Sequence, residues 1–143
     1  MQRKNKAGSN MRLSEIVGVN SSFKTAINLY LSLNKPEKIM NYIPTKSSVS
    51  LLDEYLQSIL TGKEQASLLI GPYGKGKSHL LLILLAILSL ERNSENEALI
   101  KDIVSKIDGS DALGRKAAED IMSAWGKKKY LPVILNDSKG DLN

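Results

Sequence analysis

The chain has 143 residues, 42% hydrophobic and 24% charged, an ordinary globular composition that suits one domain with a real core and leaves no room for a second full one. The absence of cysteine excludes a disulfide framework and a thiolate metal site, and it fits a reducing cytoplasm. Twenty Lys and Arg against fifteen Asp and Glu give a net charge of +5; the density at Arg3, Lys4 and Lys6 and at Lys127, Lys128 and Lys129 is either a weak attraction for nucleic acid or a solvated terminus and helix end.

Residues 1–11, MQRKNKAGSNM, have no periodicity and read as a disordered lead-in without the apolar stretch of a secretion signal. Phe23, Ala26, Ile27, Tyr30 and Leu31 then recur at helical spacing after the capping candidates Asn20, Ser21 and Ser22, with Asn34 and Pro36 as the stop. Pro36 suits the first turn of a second short helix, PEKIMNY. Ile43 before Pro44 must be extended, because the proline ring excludes the helical region for the residue preceding it. Ser47, Ser48 and Ser50 are candidate caps for a helix bearing Leu51, Leu52, Tyr55, Leu56 and Ile59, which Gly62 can end in a left-handed conformation.

The run ASLLI at residues 66–70 is short, continuous and apolar, the pattern of a strand buried on both faces. The helix HLLLILLAILSL follows a glycine-rich stretch, and its apolar residues 80–90 fall far short of the ~20 needed to span a bilayer. Ser94 with Glu97 forms a capping-box pattern for a helix through about Ile107, stopped at Asp108-Gly109. A further helix, capped by Ser110 or Asp111, carries Ala117, Ile121 and Trp125 as far as Gly126. Val133, Ile134 and Leu135 read as a second buried strand with Pro132 at its start, where no ladder donor is required. No internal repeat is visible, and the order of elements predicts an α/β domain.

Between the first strand and the long helix stands GPYGKGKS. Gly71, four residues, Gly76, Lys77 and Ser78 satisfy G-x-x-x-x-G-K-[ST] in full. Gly71, Gly74 and Gly76 permit backbone angles and close approach that side chains block, so amide hydrogens can converge on phosphate oxygens. The helix that starts near Lys77 adds its N-terminal partial charge. Lys77 is placed to reach the β and γ phosphates, and the Ser78 hydroxyl to ligate Mg²⁺. Pro72 stiffens the loop and Tyr73 fills it, stacking on a base or packing beneath. Lys75 adds positive charge or faces solvent. His79, the only histidine, has no sequence neighbours for a metal site or a triad, so it packs or makes a phosphate-side hydrogen bond.

Residues 66–90 resemble the Walker A region of P-loop NTPases. The preceding YIPTKSSVSLLDEYLQSIL is similar to the linker and first helix of AAA+ and related ATPases, and GxxGxGKSHLL looks like large bacterial P-loop proteins of BREX-type phage-defence systems. The resemblance implies a P-loop parallel sheet with flanking helices, incomplete here, behind a small helical segment. Residues 12–62 are then the helical segment and linker, and residues 63–143 the first part of a truncated nucleotide-binding domain. It also implies ATP and Mg²⁺ as cofactors, a cytoplasmic ATPase working on nucleic acid or protein, and association with other subunits or with further copies of itself.

The resemblance breaks at the acids. In VILND, Asn136 stands where a metal-side aspartate is expected and Asp137 where a general base is expected. Either this is a degenerate second motif, with Asp137 catalytic beside Lys77, or the true one lies beyond the chain. Binding without turnover, gating an interaction, is the competing function; a small-molecule kinase is the third.

Overall fold

The structure, a computed structural model, describes residues 26–63, 66–72, 74, 76–109, 111–127 and 130–135. Six helices appear among them: α1 Leu29–Ser32, α2 Pro36–Met40, α3 Lys46–Thr61, α4 Lys77–Ser89, α5 Ser94–Ile107 and α6 Ala112–Lys127. The local sequence accounts for their limits. The Asn28 carboxamide accepts from the Leu31 amide at 3.2 Å, so α1 starts there, and residues 26–28 are not helical. Helix α1 is thus capped by an asparagine that competes for the backbone; the expected start near Ser22, with Phe23 and the caps Asn20 to Ser22, lies outside the described residues. Pro36 opens α2, whose Ile39 is buried.

The cap of α3 is Thr45, not one of the serines that follow. Its Oγ1 accepts from the Ser48 amide at 3.2 Å, and the Ser48 Oγ accepts from the Thr45 amide at 2.9 Å. Two otherwise unpaired amides are satisfied reciprocally. Gly62, at φ +69°, ends the helix as expected. Similarly α5 is capped by Asn93, whose side chain accepts from the Asn96 amide at 2.8 Å. Glu97 reaches forward to Lys101 at 2.7 Å instead of back to Ser94. Asp111 takes the Gly114 amide at 2.8 Å at the head of α6; Ser110 lies outside the described residues.

Helix α4 touches α1, α2, α3 and α6, which is why it is apolar all round: Leu80, Leu82, Ile83, Ala86 and Ile87 are buried, and Leu84 and Leu88 pack at their margin. Around it α3 lies along α6 through Val49, Leu52 and Leu56 on one side and Ala117, Ile121, Ala124 and Trp125 on the other. A polar clasp closes the α3–α6 seam at the surface. Lys116 Nζ lies 2.7 Å from Asp53 and 3.0 Å from Asp120, and Gln57 donates to Asp120 at 2.5 Å. Burial raises the Asp53 pKa; burial would also raise that of Asp120, but the hydrogen bonds that Gln57 and Lys116 donate to it hold it down.

The parallel sheet expected from the apolar runs is not present among the described residues. Residues 66–70 and 130–135 are neither helix nor strand, and no backbone hydrogen bond joins them among the described residues. Leu69 packs on the helical core, whereas Leu68, Ile70, Leu131, Val133 and Leu135 are 83%, 81%, 90%, 76% and 88% exposed. An apolar run becomes a buried strand only where both faces are covered and its backbone is paired. Here helices cover one face. The second segment is anchored by the Tyr130 amide, which donates to the Leu88 carbonyl at 2.9 Å. The α/β assignment is therefore replaced by a helical fold with two irregular segments at its surface. No helix among the described residues is long and apolar enough to cross a membrane.

Candidate functional site

The glycine-rich stretch follows the irregular segment 66–70 at Gly71 and enters α4 at Lys77. Gly74 and Gly76 both have positive φ, +78° and +79°, the left-handed region that costs other L-residues about 1–2 kcal/mol. A Cβ at either would meet nothing within 4 Å. Conformation, not crowding, therefore demands glycine at both positions. The turn also lies open on its outer side, as a backbone surface meant to be approached must.

Gly76 is the N-cap of α4 and has no side chain with which to cap it. Its carbonyl takes the Leu80 amide at 2.9 Å, and the amides of Lys77, Ser78 and His79 begin the helix without intrahelical acceptors. Lys77 folds back over the loop: its Nζ donates to the Gly71 carbonyl at 2.6 Å and to the Pro72 carbonyl at 2.7 Å. The Gly71 α-carbon faces the same side chain, since an added Cβ would lie 3.5 Å from Lys77 Cδ. The ammonium braces the turn and keeps one hydrogen free for a further acceptor.

Ser78 is exposed beside this ammonium. Its hydroxyl is available as one oxygen ligand for a hard cation, and such an ion would complete its shell with phosphate oxygens and water. The described loop residues thus fit a polyphosphate with Mg²⁺. Tyr73 and Lys75 lie outside the described residues, as do Asn136 and Asp137. No group of three metal-ligating side chains occurs among the described residues.

His79 turns away from the loop. Its Nε2 lies 2.7 Å from the Lys38 carbonyl; a carbonyl only accepts, so Nε2 carries the hydrogen. The ring meets Tyr42 edge-to-face, with centroids 5.5 Å apart and planes at 72°. Burial lowers the imidazole pKa, the Lys38 backbone bond opposes this, and the charges of Lys38 and Lys106 lower it further. Tyr42 is buried at 4% exposure, and its hydroxyl donates to Ser48 Oγ at 2.9 Å; burial raises its pKa.

Between this linker and the glycine turn lies a cleft of about 420 Å³, lined by residues 41–43, Thr45, Ser48, Gly74, Gly76 and His79. Its apolar wall is Ile43, which is 68% exposed. The structure sets Gly71, Gly74, Gly76, Lys77 and Ser78 along the turn and helix start and the His79 ring against Tyr42; sequence reasoning named the first five and His79 as candidates. It missed Tyr42, Ser48 and Lys38. Tyr42 carried only its place at the end of PEKIMNY as a signal and Ser48 only its capping potential, and a backbone carbonyl such as that of Lys38 carries none. No protein-family model, curated protein or solved structure matches the chain.

Proposed function

We propose that this chain binds the polyphosphate of a nucleoside triphosphate, ATP with Mg²⁺, on the turn formed by residues 71–78. One observation carries the reading. A complete G-x-x-x-x-G-K-[ST] stretch ends in two left-handed glycines at the uncapped start of a 13-residue helix, with its lysine folded over the turn. Unpaired amides, helix polarity and an ammonium converge there, and an anion is the partner that all three favour. Lys77 exchanges its carbonyl acceptors for phosphate oxygens, and Ser78 adds a hydroxyl to the Mg²⁺ shell. The adjoining cleft has room for the nucleoside.

Among the described residues, neither the loop nor the cleft lining includes a carboxylate. These groups hold a nucleotide but do not activate water, which favours binding with little turnover by this chain. Work on nucleic acid or protein, as the resemblance to P-loop ATPases implies, requires an acid supplied from outside the described site. Calorimetric titration with ATP and Mg²⁺ is expected to show binding that falls at least about tenfold in Lys77→Ala, because a charge-assisted contact of this kind contributes roughly 1.5–3 kcal/mol. Equal affinity in the variant, at unchanged melting temperature, would remove Lys77 from the site.

A further inference from the structure

His79 occupies the first turn of α4, yet its side chain serves the opposite wall of the cleft. The backbone of this residue belongs to the phosphate-facing helix start. Its imidazole reaches back across the chain to the Lys38 carbonyl at 2.7 Å and rests against Tyr42. Tyr42 in turn bonds Ser48 at 2.9 Å, and Ser48 closes the capping box of α3 onto Thr45. The linker that carries Ile43 is thus held by α3 through Ser48, by α4 through His79 and by α5 through Lys106, which donates to the Met40 carbonyl.

We infer that His79 is a positioning residue that sets the linker wall of the cleft against the glycine turn, and so makes the site prefer a nucleoside triphosphate to a bare polyphosphate. This rests on the nucleotide reading above. The argument is geometric: Ile43 stands largely in water, so its own burial does not hold the linker in place. Remove the bond to Lys38, and the linker loses its hydrogen bond to α4, keeping the burial of Tyr42, the Lys106 bond to the Met40 carbonyl and the tie to α3. The turn, built from Gly71, Gly74, Gly76 and Lys77, does not depend on that bond. A ligand that spans turn and cleft therefore feels the loss, while a ligand confined to the turn does not.

The test compares the binding of ATP and of inorganic tripolyphosphate, each with Mg²⁺, to the native chain and to His79→Leu, His79→Gln and Tyr42→Phe. His79→Leu is expected to weaken ATP about tenfold and leave tripolyphosphate within about twofold, a loss on the scale of one hydrogen bond and its packing. Gln, whose amide can donate to the Lys38 carbonyl, should recover most of it. Tyr42→Phe, which removes only the hydroxyl, should weaken ATP about threefold in the same selective way, and it decides the matter should His79→Leu fail to fold. Equal losses for both ligands, no loss for ATP, or no recovery by Gln overturns the assignment while leaving the nucleotide reading intact. A native chain that binds both ligands equally does the same. A native chain that binds neither overturns the nucleotide reading and this inference with it.

Discussion

At His79 burial couples protonation to folding. Burial depresses the imidazole pKa from its ordinary value of 6.5, so the unfolded chain takes up a proton at a pH where the native chain still refuses it. Stability is then complete above that value and is lost as pH falls below it, because the unfolded state binds more protons there. Urea unfolding at pH 7.5 and 5.5 is expected to show a larger loss for the native chain than for His79→Gln, which cannot titrate. An equal loss in both proteins would mean that the carboxylates alone set the slope. The same residue marks a limit of sequence reading. Its place beside the loop followed from the motif, but its partner is a carbonyl 41 positions away, and no side-chain pattern encodes that. Gly74 and Gly76 were legible, since only their conformation matters, and that is a local property.

At the level of elements, α2, α3, α5 and α6 could be read from periodicity and punctuation, with Pro36 at a start and Gly62 at a stop. The caps of α3 and α5 were misread by one to five positions, at Thr45 and Asn93. Several Ser, Thr and Asn residues compete at each boundary, and geometry rather than propensity chooses among them. The strands failed for a different reason. The runs at residues 66–70 and 130–135 have the composition of buried strands, but whether a second layer covers them is a tertiary fact, and Leu68 and Leu131 show that none does among the described residues. The turn between α5 and α6 gives a sharper demand than any cap. A Cβ at Gly114 would stand 2.4 Å from the Ile107 carbonyl oxygen and 3.0 Å from the Gly109 nitrogen, both backbone atoms that cannot swing aside. Gly114→Ala is therefore expected to destabilise the chain by roughly 1–3 kcal/mol, the scale of core overpacking. A lowered melting temperature checks this; an unchanged one would show that α5 and α6 separate at little cost.

For the whole molecule, α4 is both the centre of the core and the support of the loop. Its Leu82, Ile83 and Ala86 are fully buried among α1, α2, α3 and α6, while its first turn opens to solvent at Gly76. A rigid helix thus presents an exposed backbone turn, the arrangement in which a binding loop is held by a packed scaffold. The site was more legible than the fold around it, because the loop chemistry is written in consecutive residues whereas layer order is not. Amide chemical-shift mapping during titration with ATP and Mg²⁺ tests the central claim most directly. The largest shifts are expected at Gly71, Gly74, Gly76, Lys77 and Ser78, with smaller ones at Ile43 and Thr45 along the cleft. Shifts that spare this turn and gather elsewhere, or no shifts at millimolar nucleotide, would contradict a phosphate site at the start of α4.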